Sequence, residues 1–379
     1  MKLPSVRTLF IVFYGQPYPP SNGASLRYWQ LINIMKKFGP IGVFSFYPEK
    51  SNNQTNPVVD LYHCFVNREE RSFWEKFELR FWWLYPHGHH SITRPYTKAG
   101  VQELQEVLEK LRPDLVIGEM AAYRYVPLFN RYGCRFILDQ HNLRTTWEKE
   151  LFSAESGSQF LNLTLHKKIE RSFEMSRFKS IERDLIRQAD QVWLCSAFED
   201  KQLQKFYGQV THSHVVPNAV DVAYYDCVRL GKCHLPEELE EKQRNLLYIG
   251  NMSYPPNLVA VELLIEQIYP RLRHIYPDCR LVLVGGGRAT QRIIEATKQD
   301  SGIIVTDKVP DVRPYLAAAS AIAVPLRHGG GTRLKILEAF AAGCPVVSTA
   351  KGAEGLKVKD GQHLLIREDI EEIVDGVCQ

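Results

Sequence analysis

Paired cysteines are missing from this 379-residue chain. Its eight cysteines are scattered and none forms a Cys-x-x-Cys pair, so neither a zinc site nor a disulfide framework is indicated. Reduced, mostly buried thiols are the expectation. Long apolar runs are missing too. No stretch approaches the roughly 20 apolar residues of a spanning helix. The run Leu9-Phe10-Ile11-Val12-Phe13, behind Lys2 and Arg7, is too short for an export signal and reads as a first strand. A protein that is neither exported nor crosses a membrane is therefore expected. A strong net charge is absent: +4 is too little to argue for nucleic acid. Residues 1–222 carry an excess of five positive charges and the remainder one negative, a hint of an anionic membrane surface or a phosphate-bearing acceptor on the first half. The loop after the first strand lacks Gly-x-Gly-x-x-Gly, which argues against a dinucleotide cofactor. No suitable loop offers an Asp-x-Asp metal motif.

What the chain does have is the composition and length of a two-domain globular protein, with 45% hydrophobic and 24% charged residues. One stretch organises it. From Ile322 to Thr349 it reads as a strand, a loop at Gly329-Gly330-Gly331, a short helix on which Leu334, Leu337 and Ala341 recur at helical spacing, a glycine stop and a second strand. Thr332 is the expected N-cap, and Gly343 falls where a helix C-terminus wants positive φ. Two strands joined so closely through a helix must be parallel. The glycines let a ligand approach the backbone while the helix points free N–H groups at the same place. Arg333 and Lys335, expected in the first helical turn, have the wrong sign for the macrodipole. Two cations there suggest a ligand with more than one negative charge, such as a pyrophosphate. Glu338, one turn on, can accept hydrogen bonds from the hydroxyl pair of a ribose. The plainer reading is a surface helix with a Lys335/Glu338 pair.

The stretch resembles the donor-site signature of the retaining glycosyltransferases of family 4, in the branch carrying Gly-Gly-Gly-Thr-Arg-x-Lys-x-x-Glu. The likeness extends through Val309-Pro310-Asp311-Val312-Arg313-Pro314-Tyr315 and Ala353-Glu354-Gly355-Leu356, and Val216-Pro217-Asn218-Ala219-Val220-Asp221 resembles the family's hinge. The resemblance implies the GT-B fold: two Rossmann-like, doubly wound α/β domains facing each other across a cleft, here 1–222 on the acceptor side and 223–379 on the nucleotide-sugar side. It also implies transfer of a sugar from a UDP- or GDP-linked donor, with no cofactor and no metal. Glu338 matches the family's ribose-binding glutamate. The glutamate that usually touches the sugar falls at Gly330. After Gly250, Asn251 and Asn257 stand where many members carry an arginine and a lysine, so Arg333 and Lys335 are expected to have taken over the phosphate. Gly285, Gly286, Val309, Gly330, Gly331 and Thr332 would complete the donor pocket, with Gly23 approaching from the N-terminal half. The chain ends before the family's long return helix.

In the first half, strand Leu9–Phe13, the Pro- and Gly-rich loop 14–25, a helix to Gly39 and strand Ile41–Tyr47 form the opening of a doubly wound domain. Arg27 is a candidate phosphate or acceptor contact, or else a solvated face residue. Strand Arg135–Leu138 ends in Asp139-Gln140-His141-Asn142, at the end of a parallel strand where ligands bind. By resemblance His141 contacts the transferred sugar, and Asn142 lies on the acceptor side. Between these strands runs an aromatic stretch: Phe73, Trp74, Phe77, Phe81, Trp82, Trp83 and Tyr85. It reads as a helix packed on the sheet, or as a peripheral membrane contact or apolar wall for a lipid-linked acceptor. His87, His89 and His90 read as exposed loop histidines and not as a metal site, and 147–189 as helical with a break at Gly157. The second half alternates strand and helix throughout.

The expected activity is a metal-independent retaining glycosyltransferase of the cytoplasm, at times on the inner membrane face, making a polysaccharide or glycoconjugate from a glycan or lipid-linked acceptor. Two alternatives stand beside it. A nucleotide-sugar epimerase shares the fold but needs further carboxylates around the sugar. A non-catalytic partner in a polysaccharide assembly complex would suit Gly330 and the early C-terminus.

Overall fold

The computed structural model describes residues 5–13, 17–18, 20, 22–46, 58–66, 71–85, 88–143, 145–146, 165–239, 243–287 and 290–379, with backbone alone at 90–91 and 165–171. Much of the loop 14–21, His87 and the segment 147–164 with Gly157 lie outside the described residues. The chain divides into two compact units, Met1–Pro217 and Asn218–Gln379.

The first unit is built on a seven-stranded sheet. Its strands are β1 (Thr8–Val12), β2 (Ile41–Ser45), β3 (Leu61–Cys64), β4 (Leu115–Gly118), β5 (Arg135–Gln140), β6 (Gln191–Leu194) and β7 (Ser213–Val215). They lie in the order β3-β2-β1-β4-β5-β6-β7, each pair parallel. Parallel strands are covered by helices on both faces, so they read as unbroken apolar runs. Leu9, Phe10, Ile11 and Val12 accordingly have no exposed surface. They divide between two cores: Leu9 and Ile11 face one, Phe10 and Val12 the other. The helix Gly23–Met35 begins at an Asn22/Ser25 capping box, three residues earlier than the expected end of the loop at Ser25 puts it. Helix Lys98–Leu111 is capped by Thr97, and Ala197–Tyr207 by Ser196. β3 escapes the sequence pattern because Leu-Tyr-His-Cys has no β-branched residue and stays half-buried.

The second unit repeats the plan with β8 (Arg244–Ile249), β9 (Cys279–Val284), β10 (Ile303–Val305), β11 (Ala321–Val324), β12 (Val346–Ser348) and β13 (Leu365–Ile366). Their order is β10-β9-β8-β11-β12-β13, all parallel. In each sheet the direction of strand addition reverses once, between β1 and β4 and between β8 and β11. The crevice outside the carboxyl ends at such a reversal is where open α/β sheets bind ligands. The last helix, Ile370–Cys378, buries Ile373 and Val374 in the core of this same unit.

Candidate functional site

In the second unit, four neighbouring strand ends supply one surface. Val309 follows β10, Gly285 and Gly286 follow β9, Gly250 follows β8, and Gly329–Gly331 follow β11. Two of these glycines are required. Gly285 has φ 143°, and a Cβ there would lie 2.1 Å from the Gly250 carbonyl oxygen. Gly329 has φ 107°, and its Cβ would stand 3.2 Å from the Tyr254 hydroxyl. Val309 packs against the core beneath.

The helix behind the triple-glycine loop spans Leu334–Ala342 and ends on Gly343 in the left-handed region, φ 78°. Its N-cap is Arg333, with no side-chain capping bond, so Thr332 is half-buried ahead of the cap and does not serve as it. Arg333 is correspondingly not in the first turn. Its side chain is buried and folds back on its own loop, donating from Nη1 to the Gly330 and Gly331 carbonyls and from Nη2 to that of Gly329. Three carbonyl dipoles meet one guanidinium, which fixes the loop.

Lys335 points elsewhere. Its Nζ lies 4.1 Å from the centre of the Tyr248 ring and donates to Asn257 Oδ1 at 3.2 Å. That oxygen also accepts from the Tyr248 hydroxyl at 2.7 Å, while Asn257 Nδ2 donates to the Asn251 carbonyl at 2.9 Å. The lysine thus brings its charge to the place where the sequence has Asn251 and Asn257 in lieu of cations. Burial, then the neighbouring Arg333 charge, lower its pKa to about 7 against the opposing pull of Glu338. Glu338 accepts from the Tyr225 hydroxyl at 2.8 Å. Burial raises its pKa, offset in part by that hydrogen bond and by Lys335.

The first unit brings together a second group. Arg27, in the helix after β1, is buried against Asp139 at the end of β5. Its Nε lies 3.1 and 2.9 Å from the two carboxylate oxygens, and its Nη2 2.5 Å from Oδ1. Nη1 donates to the Val216 carbonyl at 2.9 Å. Arg27 is therefore neither solvated nor open to a ligand in this arrangement. Burial pushes the Asp139 carboxyl up, but the Arg27 charge and the His141 ring outweigh it and hold it below the usual carboxylate range. His141 Nε2 lies 3.0 Å from Asp139 Oδ2, yet the two are not in line and Nε2 makes no hydrogen bond. Asn142 follows it, half-buried. The loop is pinned from below by two buried carboxylates. Glu182 takes Gln140 Nε2 and the Thr145 amide and hydroxyl at 3.2, 3.1 and 2.6 Å, and Glu199 takes the Leu143 amide at 3.1 Å. Gly23 is exposed as the first residue of the helix Gly23–Met35.

Sequence reasoning passed over Tyr28, Glu119, Tyr225 and Tyr248. Glu119 alone had a readable signal, a carboxylate one glycine beyond the apolar run Leu115-Val116-Ile117. The aromatic stretch divides into a helix, Phe73–Arg80, and a 3-10 turn, Trp82–Leu84, neither with a buried residue. Phe73 and Trp74 are 72% and 71% exposed, so the reading of that stripe as packed on the sheet does not hold for them.

Two doubly wound parallel domains with glycine-lined strand ends define the GT-B class of proteins. The sequence matches the family described as Glycosyltransferase Family 4 over residues 59–224 and the one described as Glycosyl transferases group 1 over residues 243–379, so the chain belongs to the glycosyltransferases of the family 4 type. A sucrose-phosphate synthase from Thermosynechococcus elongatus superposes with a TM-score of 0.68 at 15% identity, over 98% of this chain and 89% of that one. Anabaena HepE, solved in complex with UDP-glucose, gives 0.64 at 14% identity over 98% and 89%. Among curated sequences, a 44.6 kDa uncharacterised protein in the cps region of Klebsiella pneumoniae is 26% identical over 245 residues, 62% of this chain and 56% of its own length. The chain spans about half the length of the curated relatives it matches.

Proposed function

We propose that the protein transfers a sugar, with retention, from a nucleoside diphosphate sugar to a hydroxyl group of a glycan or lipid-linked acceptor. The observation that carries this reading is the placement of Lys335 Nζ beside Asn257 at the N-terminal end of a helix fronted by Gly329–Gly331. Free helix amides and one ammonium group make a seat for a diphosphate and stabilise the charge that develops as it leaves, without a metal ion. Glu338 receives the ribose hydroxyls. Arg333 shapes the loop and adds its field, and Gly285, Gly286, Val309, Gly330, Gly331 and Thr332 line the pocket. In the first unit His141 is the proposed contact for a sugar, with Asn142 beside it and Gly23 opening the helix that carries Arg27. The leaving phosphate itself takes the acceptor proton. A uridine nucleotide is favoured because HepE, of similar fold, was solved with UDP and UDP-glucose.

The test is incubation with UDP- and GDP-linked hexoses. Slow release of free nucleoside diphosphate is the expected result. Interconversion of the sugar with its nucleotide intact would mean an epimerase, and binding without turnover a non-catalytic partner; either would overturn the reading.

The exposed Phe73, Trp74, Trp83 and Leu84, with Lys76 and Arg80 exposed beside them, support a peripheral contact with an anionic bilayer on the cytoplasmic face. Aromatic rings enter the headgroup region while the cations meet lipid phosphates. Sedimentation with phosphatidylcholine vesicles, with and without phosphatidylglycerol, checks this. Binding is expected only with the anionic lipid, weaker by about tenfold in a Phe73→Ser/Trp74→Ser double variant. Equal binding by the variant sinks the proposal.

A further inference from the structure

In the first unit, one carboxyl group at the strand ends takes its hydrogen bonds from neutral donors. Glu119 follows β4 directly, beside the end of β1, at the reversal of strand order. It occupies the N-cap position of the 3-10 turn Met120–Tyr125, yet its side chain makes no capping bond. Its Oε1 accepts from the Tyr28 hydroxyl at 3.0 Å, and the Phe13 backbone amide also reaches the carboxyl group. Neither partner is a cation. Arg27, the guanidinium of this cluster, has its nitrogens on Asp139 and the Val216 carbonyl. Burial raises the Glu119 pKa, opposed by His141 and by the Tyr28 bond. A carboxylate offers about four lone-pair sites, so two neutral donors leave capacity for more. Tyr28 ties the residue to the loop after β5, its ring edge against His141 with centroids 4.9 Å apart.

We propose that Glu119 receives the acceptor, taking a hydrogen bond from a sugar hydroxyl beside His141, and so governs acceptor choice and not donor affinity. This rests on the glycosyl-transfer reading above. A carboxylate held by neutral donors at a ligand-binding edge suits a neutral polyol, since each hydroxyl brings a donor and no charge to desolvate. Glu119 abstracts no proton in this scheme. Its work is to place one acceptor oxygen, and acceptors lacking a hydroxyl at that position lose the interaction.

The experiment measures nucleoside diphosphate release from the nucleotide sugar that the wild type hydrolyses, alone and with methyl and octyl glycosides of glucose, galactose and mannose. At least one glycoside should accelerate release. Glu119→Ala should raise the KM for that glycoside about tenfold or more while leaving acceptor-free hydrolysis and donor KM within about twofold. Glu119→Gln, which keeps the shape and one acceptor atom, should fall between. A tyrosine truncation, Tyr28→Phe, removes one bond to the carboxyl group and should shift acceptor KM by a few-fold only. Unchanged acceptor KM in Glu119→Ala overturns the proposal, as does a parallel fall in acceptor-free hydrolysis. Acceptor-free hydrolysis with no glycoside stimulating it also overturns a sugar hydroxyl at this carboxylate. Absence of hydrolysis with every nucleotide sugar overturns instead the glycosyl-transfer reading on which it depends.

Discussion

Lys335→Met should weaken nucleoside diphosphate binding by about 30-fold, on the order of 2 kcal/mol, because it removes a charge-assisted contact while keeping the stem that covers Tyr248. Titration calorimetry with UDP reads this directly, and affinity within threefold of the wild type would rule out a phosphate role for the lysine. The pH dependence has a definite sign. With a pKa of about 7 in the empty protein, Lys335 loses its proton just above neutrality. Bound diphosphate favours the ammonium form, so binding takes up a proton and affinity falls as pH rises above about 7. Below it, the lysine is already charged and contributes no slope. The ligand's own second phosphate ionisation, near pH 6, is common to both proteins. The difference between wild type and Lys335→Met therefore isolates the lysine. Stability of the empty protein runs the other way. A lysine whose folded pKa lies below its unfolded value of about 10.4 leaves the unfolded chain holding more protons between those limits, so stability rises with pH there.

The second large effect belongs to Asp139. Asp139→Ala leaves the Arg27 guanidinium buried without its carboxylate and should cost about 3–5 kcal/mol of folding stability. Urea denaturation of the two proteins measures it, and a loss under about 1 kcal/mol would mean that water or a rearranged side chain compensates. The folded pKa of Asp139 lies below its unfolded value of about 3.9, so the stabilisation is present above about pH 4 and is lost as pH falls through the folded pKa. The variant should lack that acid-side component.

Legibility in the sequence follows the range of the interaction. The unit from β11 to β12 could be read almost residue by residue, because strand, glycine loop, helix and Gly343 stop are each encoded within a few positions. Where a side chain points was not encoded locally. Arg333 looked like a ligand contact from its spacing, and its guanidinium donates to three carbonyls of its own loop. Arg27 and Asp139 stand 112 positions apart, and no period links them. Glu119 and Tyr28 are joined only by the sheet order that sets β4 beside β1. The aromatic stretch had the spacing of a packed helix, and spacing alone does not say whether a sheet lies beneath it.

The placement of β1 inside its sheet, between β2 and β4, bears on biosynthesis. Its register runs from Thr8 against Ile41 on one side to Thr8 against Leu115 on the other. More than a hundred residues must be translated after β1 before that apolar ribbon has both neighbours. Until then Leu9–Val12 is a sticky segment with open edges, the kind that nascent chains lose to aggregation. Refolding from denaturant should accordingly be slow and improve with dilution or a holdase chaperone, since distant pairings have to close before any of the sheet is secure.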